Sequence, residues 1–506
     1  MPPETDHSRF TRPVTEFVAR NRFRSARHEP QAVPPLTEAR ALLPAPVIPH
    51  KPVWEEMYWR AWELAWGRLR PPRPGSDLVA SYVAPADEER LSLWESAFIA
   101  LFTVYGRRAF YFPGGLDNFY SRQHNDGFIC QMLNTNDGSD YFYPFDPNGA
   151  GPNIMAWAEW GIFRHTRDQE RMEAVFWPLL ALHDWYRQHR TWPSRLYWAT
   201  GLSSGMDDQQ RIPDGARHHQ HWTWVDANMQ ASLNCWVLLQ MANLLGEEAL
   251  AGRLSEEHAL LRREVNGRLW NDATQFYHDV DSGGKFSLLR TVGAYWALLD
   301  RDLVPTERLP GFLAPLSVPD AFNRPHRVPT LPADSPVYEP QAAKEWCGGV
   351  WSPTNYMLLK GLRLHDRHHV AHAIAVNHLE NLAQVFRYTD TFWEYYAPEE
   401  AAPGQGAQAD YVGWSGLSPI SILLEDVIGI SVDWPLRRVT WDRRLDTGAV
   451  YGVRNYPVGA DGTIDLLGDN RLVEVVSDVP FTLTIRSPEV TVQTAIPAGT
   501  NTISLA

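Results

Sequence analysis

The stretch WTWVDANMQASLNCWVLLQMANLL, residues 222–245, decides the fold class of this chain. Gly246 follows it, and glycine is the usual residue just past the C-terminus of a helix. The larger apolar residues recur at the spacing that places side chains on one face of a helix: Met229, Leu233, Trp236, Val237 and Leu244. The segment therefore predicts a long amphipathic helix.

Similar helical patterns run from about residue 52 to about residue 430, separated by loops rich in Gly, Asp, Trp and Pro. They predict an all-α domain made of helical hairpins. The predicted helices are 52–68, 89–106, 153–166, 168–189, 222–245, 247–269, 285–300, 354–364, 368–387 and 415–428.

The two ends of the chain follow other patterns. Residues 1–50 are rich in proline and predict an arm on the body of the protein, with one short helix near 16–27. From about residue 435, apolar residues alternate, as in Phe481, Leu483 and Ile485, which predicts a small antiparallel β module. We therefore expect an arm at 1–50, a helical domain at 51–432 and a sandwich-like β module at 433–506.

Composition limits the partners and the cellular compartment that we expect for this chain. The formal charge is −14, which disfavours nucleic acid and anionic lipid as partners. The three cysteines, Cys130, Cys235 and Cys347, are widely spaced, which fits a reduced compartment. The first residues lack the apolar core of a secretory signal, and no run of 18 apolar residues occurs. These features predict a cytoplasmic protein without nucleic-acid or membrane partners, and they leave its oligomeric state open.

The aromatic content points to carbohydrate. The chain holds 22 Trp, 20 Phe and 19 Tyr, and many of them stand next to polar or acidic residues, as in Trp94-Glu95 and Tyr197-Trp198. A sugar ring has an apolar face and a hydroxylated edge, so it needs a flat aromatic surface beside hydrogen-bonding groups. Most of these rings are nevertheless expected in the core.

Two segments carry carboxylates that packing does not require. In residues 201–211, Asp207 and Asp208 stand in a loop after two glycines, although Asp208 also suits a helix start. In residues 391–399, Glu394 is flanked by aromatic residues, and a buried structural glutamate is the alternative. Two further Gly- and Trp-rich segments, 346–356 and 411–419, offer close backbone approach and aromatic surfaces to a ligand.

In this order, SGMDDQQR (204–211), GGVWSPTNYMLLKGL (348–362), FWEYYAPE (392–399) and YVGWSGLSPI (411–420) resemble loops of glycoside hydrolase family 63. The likeness is to its bacterial mannosylglycerate- and glucosylglycerate-hydrolase-like members, and more distantly to family 37 trehalases. LWESAF (93–98), RQHNDGFI (122–129) and AWAEW (156–160) fit the same pattern, so the resemblance spans about residues 90–430.

The resemblance implies an (α/α)6 barrel, the six-hairpin toroid, that hydrolyses an α-glucosidic or α-mannosidic bond with inversion. It implies that Asp207 is the general acid and Glu394 the general base. Glu95 replaces the aspartate that the family usually has at a sugar-contacting position. The residues expected at the substrate are Trp94, Glu95, Arg122, Gln123, Asp126, Tyr197, Trp198, Asp208, Gln210, Arg211, Asp226, Trp351, Asn355, Tyr356, Trp393, Tyr395 and Trp414.

Other chemistries remain as alternatives. His218, His219 and His221 cluster in sequence, and His368 and His372 are one helical turn apart, but neither set has a completing ligand at motif spacing. We therefore expect no metal and no cofactor. A helical-toroid epimerase or lyase, or a non-catalytic carbohydrate-binding protein, would also carry this aromatic content.

Overall fold

The computed structural model describes residues 13–29, 31–85, 89–339, 346–445, 447–488 and 490–505. Its longer α-helices are α1 Pro52–Gly67, α2 Leu93–Thr103, α3 Gly114–Ser121, α4 Met155–Thr166, α5 Gln169–His189, α6 Val225–Leu245, α7 Glu248–Arg268, α8 Ser352–Leu364 and α9 His368–Thr389. Short α-helices span Glu16–Ala19, Leu36–Ala39, Gly201–Ser204 and Leu309–Leu313. The 3₁₀-helices are Arg22–Ser25, Arg40–Leu42, Val104–Gly106, Val292–Leu299, Ala314–Ser317, Ser415–Leu417 and Trp434–Leu436, and Ser418–Ile428 is a π-helix.

Six helical segments contact one another in cyclic order. The order is α2, α4, α6, Val292–Leu299, α8 and Ser418–Ile428, and the last of these contacts α2 again. Val292–Leu299 and Ser418–Ile428 are buried along their whole length, which is typical of helices surrounded by protein on every side. The helices α1, α5, α7 and α9 pack outside these six, and α7 buries one face only.

The predicted helices therefore exist, with two differences in helix type. The segments predicted at 285–300 and 415–428 form the 3₁₀-helix Val292–Leu299 and the π-helix Ser418–Ile428. Over so few turns, the apolar pattern does not distinguish the hydrogen bonding of a 3₁₀-helix, an α-helix and a π-helix. The 3₁₀-helix Val292–Leu299 packs closely against α8, because a Cβ atom at Gly361 of α8 would lie 2.5 Å from Leu298.

The C-terminal region forms two sheets. The first has the strand order Ala45–Val47, Tyr451–Val458, Gly462–Gly468, Leu472–Ser477 and Gly499–Ser504. The second has the order Thr491–Ile496, Phe481–Arg486, Arg438–Asp442 and Ile430–Asp433. Two-stranded sheets pair Leu69–Arg70 with Tyr82–Val83, Arg90–Ser92 with Met132–Asn134, and Trp270–Asn271 with Phe276–Tyr277.

The β region differs from its prediction in one pairing. Phe481–Arg486 runs parallel to Arg438–Asp442, so the module is not purely antiparallel. Two parallel neighbouring strands need a long connection between them. Here that connection contains strands of the first sheet. The first sheet also takes a strand, Ala45–Val47, from the N-terminal arm. No helix in the described ranges is both long and apolar enough to cross a membrane.

Candidate active site

The loop that carries Asp207 packs between a single helical turn and α2. The turn, Gly201–Ser204, is capped by Thr200, whose side chain accepts a backbone N–H of the turn (3.0 Å). Gly205 ends the turn at φ +78°, a left-handed conformation that glycine adopts without strain. A Cβ atom at Gly205 would lie 3.0 Å from the ring of Trp94, so the loop sits directly against the start of α2.

Asp207 borders a cavity of about 640 Å³, within the usual size of small-molecule sites. Residues 207–216 line it together with Trp222, Lys285 and Phe286. Gln210 is exposed there, whereas Asp207 is half-buried. The cavity thus brings a carboxylate, an amide and aromatic rings into reach of one ligand.

The loop of Glu394 is held through its backbone. The Glu394 N–H donates to the carbonyl oxygen of Gln408 (3.0 Å), and its own carbonyl oxygen accepts the indole N–H of Trp414 (3.0 Å). Gln408 donates its N–H to the carboxylate Oε2 of Glu394 (3.5 Å). The adjacent Tyr395 ring is buried against Gly404, where a Cβ atom would overlap the ring. The loop therefore presents the carboxylate from a fixed backbone.

A stack of three aromatic rings joins the two loops. Trp351 lies between Trp346 (ring centroids 3.7 Å apart, planes at 8°) and Tyr395 (4.6 Å, 15°). The backbone N–H of Trp346 donates to Asp208 Oδ1 (2.9 Å), and its carbonyl oxygen accepts the side-chain amide of Gln209 (2.9 Å). Both faces of Trp351 are covered, so this ring connects the loops and has no face left for a sugar.

Glu95, in the first turn of α2, approaches the segment 411–413, which is hydrogen-bonded to the loop of Glu394 through Tyr411 and Phe392 (3.2 Å). The hydroxyl of Tyr411 donates to Glu95 Oε1, and a Cβ atom at Gly413 would lie 2.8 Å from the same oxygen. Burial, with the nearby carboxylates of Glu95 and Glu394, raises the pKa of Tyr411 well above its usual value. The start of α2 therefore contacts the loop of Asp207 through Trp94 and the segment 411–413 through Glu95.

Arg211 and Asp226 belong to a buried ion network. The guanidinium of Arg211 contacts both carboxylate oxygens of Asp226 (2.7 Å each) and both oxygens of Asp279 (2.8 Å each). All three side chains are at most 1% exposed. Burial raises the pKa of Asp279 despite the opposing guanidinium. These residues fix the entry to α6 and are fully engaged with one another.

Three residues expected at the substrate lie in the region that holds the N-terminal arm. Arg122 pairs with Asp77 (2.7 Å). Gln123 is buried, accepts the amide of Asn21 (2.9 Å) and donates to two backbone carbonyls. Asp126 accepts the backbone N–H two residues ahead (3.2 Å). None of these contacts is with the loops of Asp207 and Glu394.

Two further residues expected at the substrate lie on α8 and have partners inside the protein. Asn355 exchanges hydrogen bonds with the backbone of Val328 (3.2 and 3.3 Å). Tyr356 donates to Glu425 (3.3 Å) and lines a different cavity. Residue type alone did not reveal which way each side chain of this helix points.

The rings at 197 and 198 lie before the acid loop. Tyr197 is buried, with its backbone fixed by Asn228. Trp198 is half-buried under the guanidinium of Arg190 (4.5 Å). Trp393 precedes Glu394 and is half-buried, and Trp414, which is 6% exposed, donates its indole N–H to the backbone carbonyl of Glu394 (3.0 Å).

Sequence reasoning missed four residues of this region. Trp346 and Tyr411 stand inside motifs that were noticed, and both are aromatic, so a signal existed. Asp279 and Lys285 lie outside any motif. Their positions depend on tertiary contacts with Arg211 and with the loop of Asp207, which no local pattern records.

Among the described residues, one group has the composition of a metal site: His183, Cys235 and Glu257. His183 lies 3.1 Å from Glu257, which Arg187 also contacts (3.0 Å). Cys235 donates its S–H to a backbone carbonyl (3.3 Å), and burial raises its pKa well above the usual value. Because the thiol is protonated and an arginine lies close by, we interpret this group as a hydrogen-bonded cluster in the core and not as a cation site.

Comparison with known proteins gives the class and the family. The chain is a glycoside hydrolase. It belongs to the family described as mannosylglycerate hydrolase MGH1-like glycoside hydrolases, whose model matches residues 90–415. The resemblance to family 63 is thereby confirmed.

Individual relatives share the fold. The GH63 mannosylglycerate hydrolase of Thermus thermophilus, solved with glucose, is 20% identical, with a TM-score of 0.59 over 72% of this chain and 99% of that one. The neutral trehalase Nth1 of Saccharomyces cerevisiae is 12% identical, with a TM-score of 0.51 over 68% and 73%. A probable mannosyl-oligosaccharide glucosidase of Schizosaccharomyces pombe is 25% identical over 244 residues, which are 45% of this chain and 29% of that protein.

Proposed function

We propose that this enzyme cleaves an α-glucosidic or α-mannosidic bond in a small glycoside or oligosaccharide with inversion at the anomeric carbon. Asp207 acts as general acid and Glu394 as general base. The observation that carries the proposal is the Trp346–Trp351–Tyr395 stack. It ties the loop of Asp207 to the loop of Glu394, although the two are far apart in sequence.

The scaffold in this proposal is an (α/α)6 toroid. The cyclic contacts of the six inner segments support it, as do the outer helices packed around them. The chain then divides into the arm at 1–50, the toroid at 51–432 and the β module at 433–506. Three buried free cysteines, Cys130, Cys235 and Cys347, agree with a cytoplasmic location.

Inversion needs two carboxyl groups in different protonation states. Asp207 protonates the leaving oxygen, while ionised Glu394 deprotonates a water on the opposite face of the sugar. The pair must stand about 6.5–9.5 Å apart to admit that water. In this proposal, the hydrogen bonds and packing that fix the backbone of each loop hold the two carboxyl groups at such a separation.

The substrate class rests on the relatives. The names of those described above point to glucosides and mannosides. Arg211 and Arg122 are both paired with carboxylates, so among the described residues that line the cavity of Asp207, Lys285 is the cation left to meet an acidic leaving group. A screen against α-linked disaccharides and glycosylglycerates, with released monosaccharide as the readout, tests the whole proposal.

We expect Glu95→Gln to raise KM at least as much as it lowers kcat. Glutamine keeps an acceptor for the Tyr411 hydroxyl but loses the charge that a sugar hydroxyl would contact. A binding contact of this kind is shared by ground and transition states. Steady-state kinetics check this, with Glu63→Gln on the exposed face of α1 as the matched control. A collapse of kcat at unchanged KM would move Glu95 into the chemistry.

The stereochemical course separates inversion from retention. Because no covalent intermediate forms, we expect an α-linked substrate to release the β-anomer first. Proton NMR of the first turnovers, before the free sugar mutarotates, reports the anomer directly. Initial appearance of the α-anomer would require one of the two carboxylates to be a nucleophile instead.

A further inference from the structure

A second cavity, of about 330 Å³, lies between the helical ring and the C-terminal sheet. One side is built by α4, α6 and α8, and the other by the strands Ile430–Asp433 and Arg438–Asp442. Its volume is within the lower range of small-molecule sites.

On α6 and α8, the residues that line this cavity lie further along the helix than the candidate active site. The active-site loops join the N-terminal ends, where Trp224 precedes α6 and Trp351 precedes α8. Trp236 of α6 and Lys360 of α8 line the second cavity. At 1.5 Å per residue they lie about 18 Å and about 14 Å further along their helices.

Tryptophan rings separate the two cavities inside the ring of helices. Trp94, which borders the loop of Asp207, lies 6.0 Å from Trp296 between ring centroids. Trp296 lies 5.3 Å from Trp157, which lines the second cavity. The second cavity is therefore not an extension of the first.

The helical side of the cavity presents indole rings that are only half-buried. They are Trp157, Trp160 and Trp236, and the last two meet edge to face at 6.3 Å. Within the described part of the chain, their indole N–H groups have no hydrogen-bond partner and are not sealed from solvent. Accessible rings with unused donors are the surface that the C–H face and hydroxyls of a sugar require.

The sheet side presents hydroxyl groups. Ser431 and Thr440 are directly opposite each other on antiparallel strands, so their side chains share one face of the sheet. Both line the cavity, and neither hydroxyl is hydrogen-bonded to another of the described residues. A ligand here meets hydroxyls on one side and indole rings on the other.

Most of the cations around the cavity already have a carboxylate partner. Lys360 contacts Glu425 (2.6 Å) and Asp426 (2.9 Å), and Asp426 also pairs with Arg363 (2.6 Å). Arg486 contacts His368 (2.7 Å), whose other ring nitrogen faces Asp442 (3.5 Å). An anionic ligand would have to compete with Glu425 and Asp426 for Lys360 and Arg363, whereas an uncharged ligand would not.

We propose that this cavity is a second carbohydrate-binding site, specific for a neutral saccharide and separate from the site of hydrolysis. The inference does not depend on the proposed roles of Asp207 and Glu394, because it uses none of the residues of that site. It assigns a ligand to the junction between the helical ring and the β module.

The test is ¹⁹F NMR of the full-length protein containing 5-fluorotryptophan, titrated with glucose, maltose and trehalose. Trp160→Phe and Trp236→Phe identify the two signals by their disappearance. We expect both signals to shift saturably with at least one sugar, equally in the parent protein and in Asp207→Asn. Trp160→Ala should weaken the binding that the Trp236 signal reports by about tenfold or more, the scale of a lost aromatic contact.

Two variants keep the outcome interpretable. Thr440→Val removes one cavity hydroxyl at nearly constant volume and should weaken binding several-fold even if Trp160→Ala fails to fold. Trp59→Ala, which removes a half-buried ring on α1 beneath Arg40, should leave binding unchanged. Signals of Trp160 and Trp236 that stay in place up to the solubility limit of all three sugars would overturn the proposal. So would shifts that Thr440→Val and Trp160→Ala both leave intact.

Discussion

We expect Asp207→Asn and Glu394→Gln each to lower kcat by about 10²–10⁴-fold or more, the usual scale of acid–base catalysis, without unfolding the enzyme. Asparagine cannot protonate a leaving oxygen, and glutamine cannot take a proton from water. Each replacement keeps the shape of the side chain. The loops should survive, since backbone bonds hold Glu394 and a capped turn holds Asp207. Initial rates on the best substrate of the screen give the effect.

Asp208→Asn is the matched control for the acid. Asp208 adjoins Asp207, but its Oδ1 accepts the backbone N–H of Trp346, and asparagine can accept the same bond. We therefore expect a loss of activity far smaller than that of Asp207→Asn. A collapse in Asp208→Asn together with a mild effect in Asp207→Asn would transfer the role of general acid to Asp208. Equal activity in all three variants and the parent would refute the assignment of both catalytic carboxylates.

The helices were predictable because their apolar residues recur at helical spacing, but their ends depend on distant contacts. The sequence placed the start of α6 at Trp222, and the helix begins at Val225. The N–H of Val225 is bound by the carboxylate of Asp279 (2.7 Å), a residue from a β-hairpin far along the chain. Apolar periodicity contains no information about that partner.

The site was predictable at the level of motifs and not of single side chains. The segments around Asp207, Trp346, Glu394 and Tyr411 could be recognised in the sequence because each carries residues that a core does not need. In the structure, hydrogen bonds and ring contacts link these segments. Tyr356 stands in one of these motifs, yet its position on α8 turns it toward the second cavity. The direction of a side chain on a helix is set by rotation about the helix axis, and one sequence does not fix that rotation relative to the ring.

The largest effect on stability is expected from Arg211→Met. This change leaves Asp226 and Asp279 facing each other, both fully buried and without their cation. Breaking a buried ion pair by removing one partner costs about 3–5 kcal/mol. The matched control is Arg268→Met, which removes an exposed partner of Glu264 on the surface of α7 and should cost at most about 0.5 kcal/mol. Calorimetric melting of both variants at neutral pH measures the difference.

We expect the loss of stability in Arg211→Met to depend on pH. Burial already raises the pKa of Asp279 in the intact network, and removing the guanidinium removes the attraction that opposes this rise. The folded variant then holds a proton that the unfolded chain releases at neutral pH, so its stability falls as pH rises. We therefore expect the gap in melting temperature between Arg211→Met and the parent to narrow on acidification, and Asp279→Asn to restore part of the stability in the Arg211→Met background. A gap that does not change with pH, with no rescue by Asp279→Asn, would mean that lost packing of the arginine side chain, rather than unpaired buried charge, destabilises the variant.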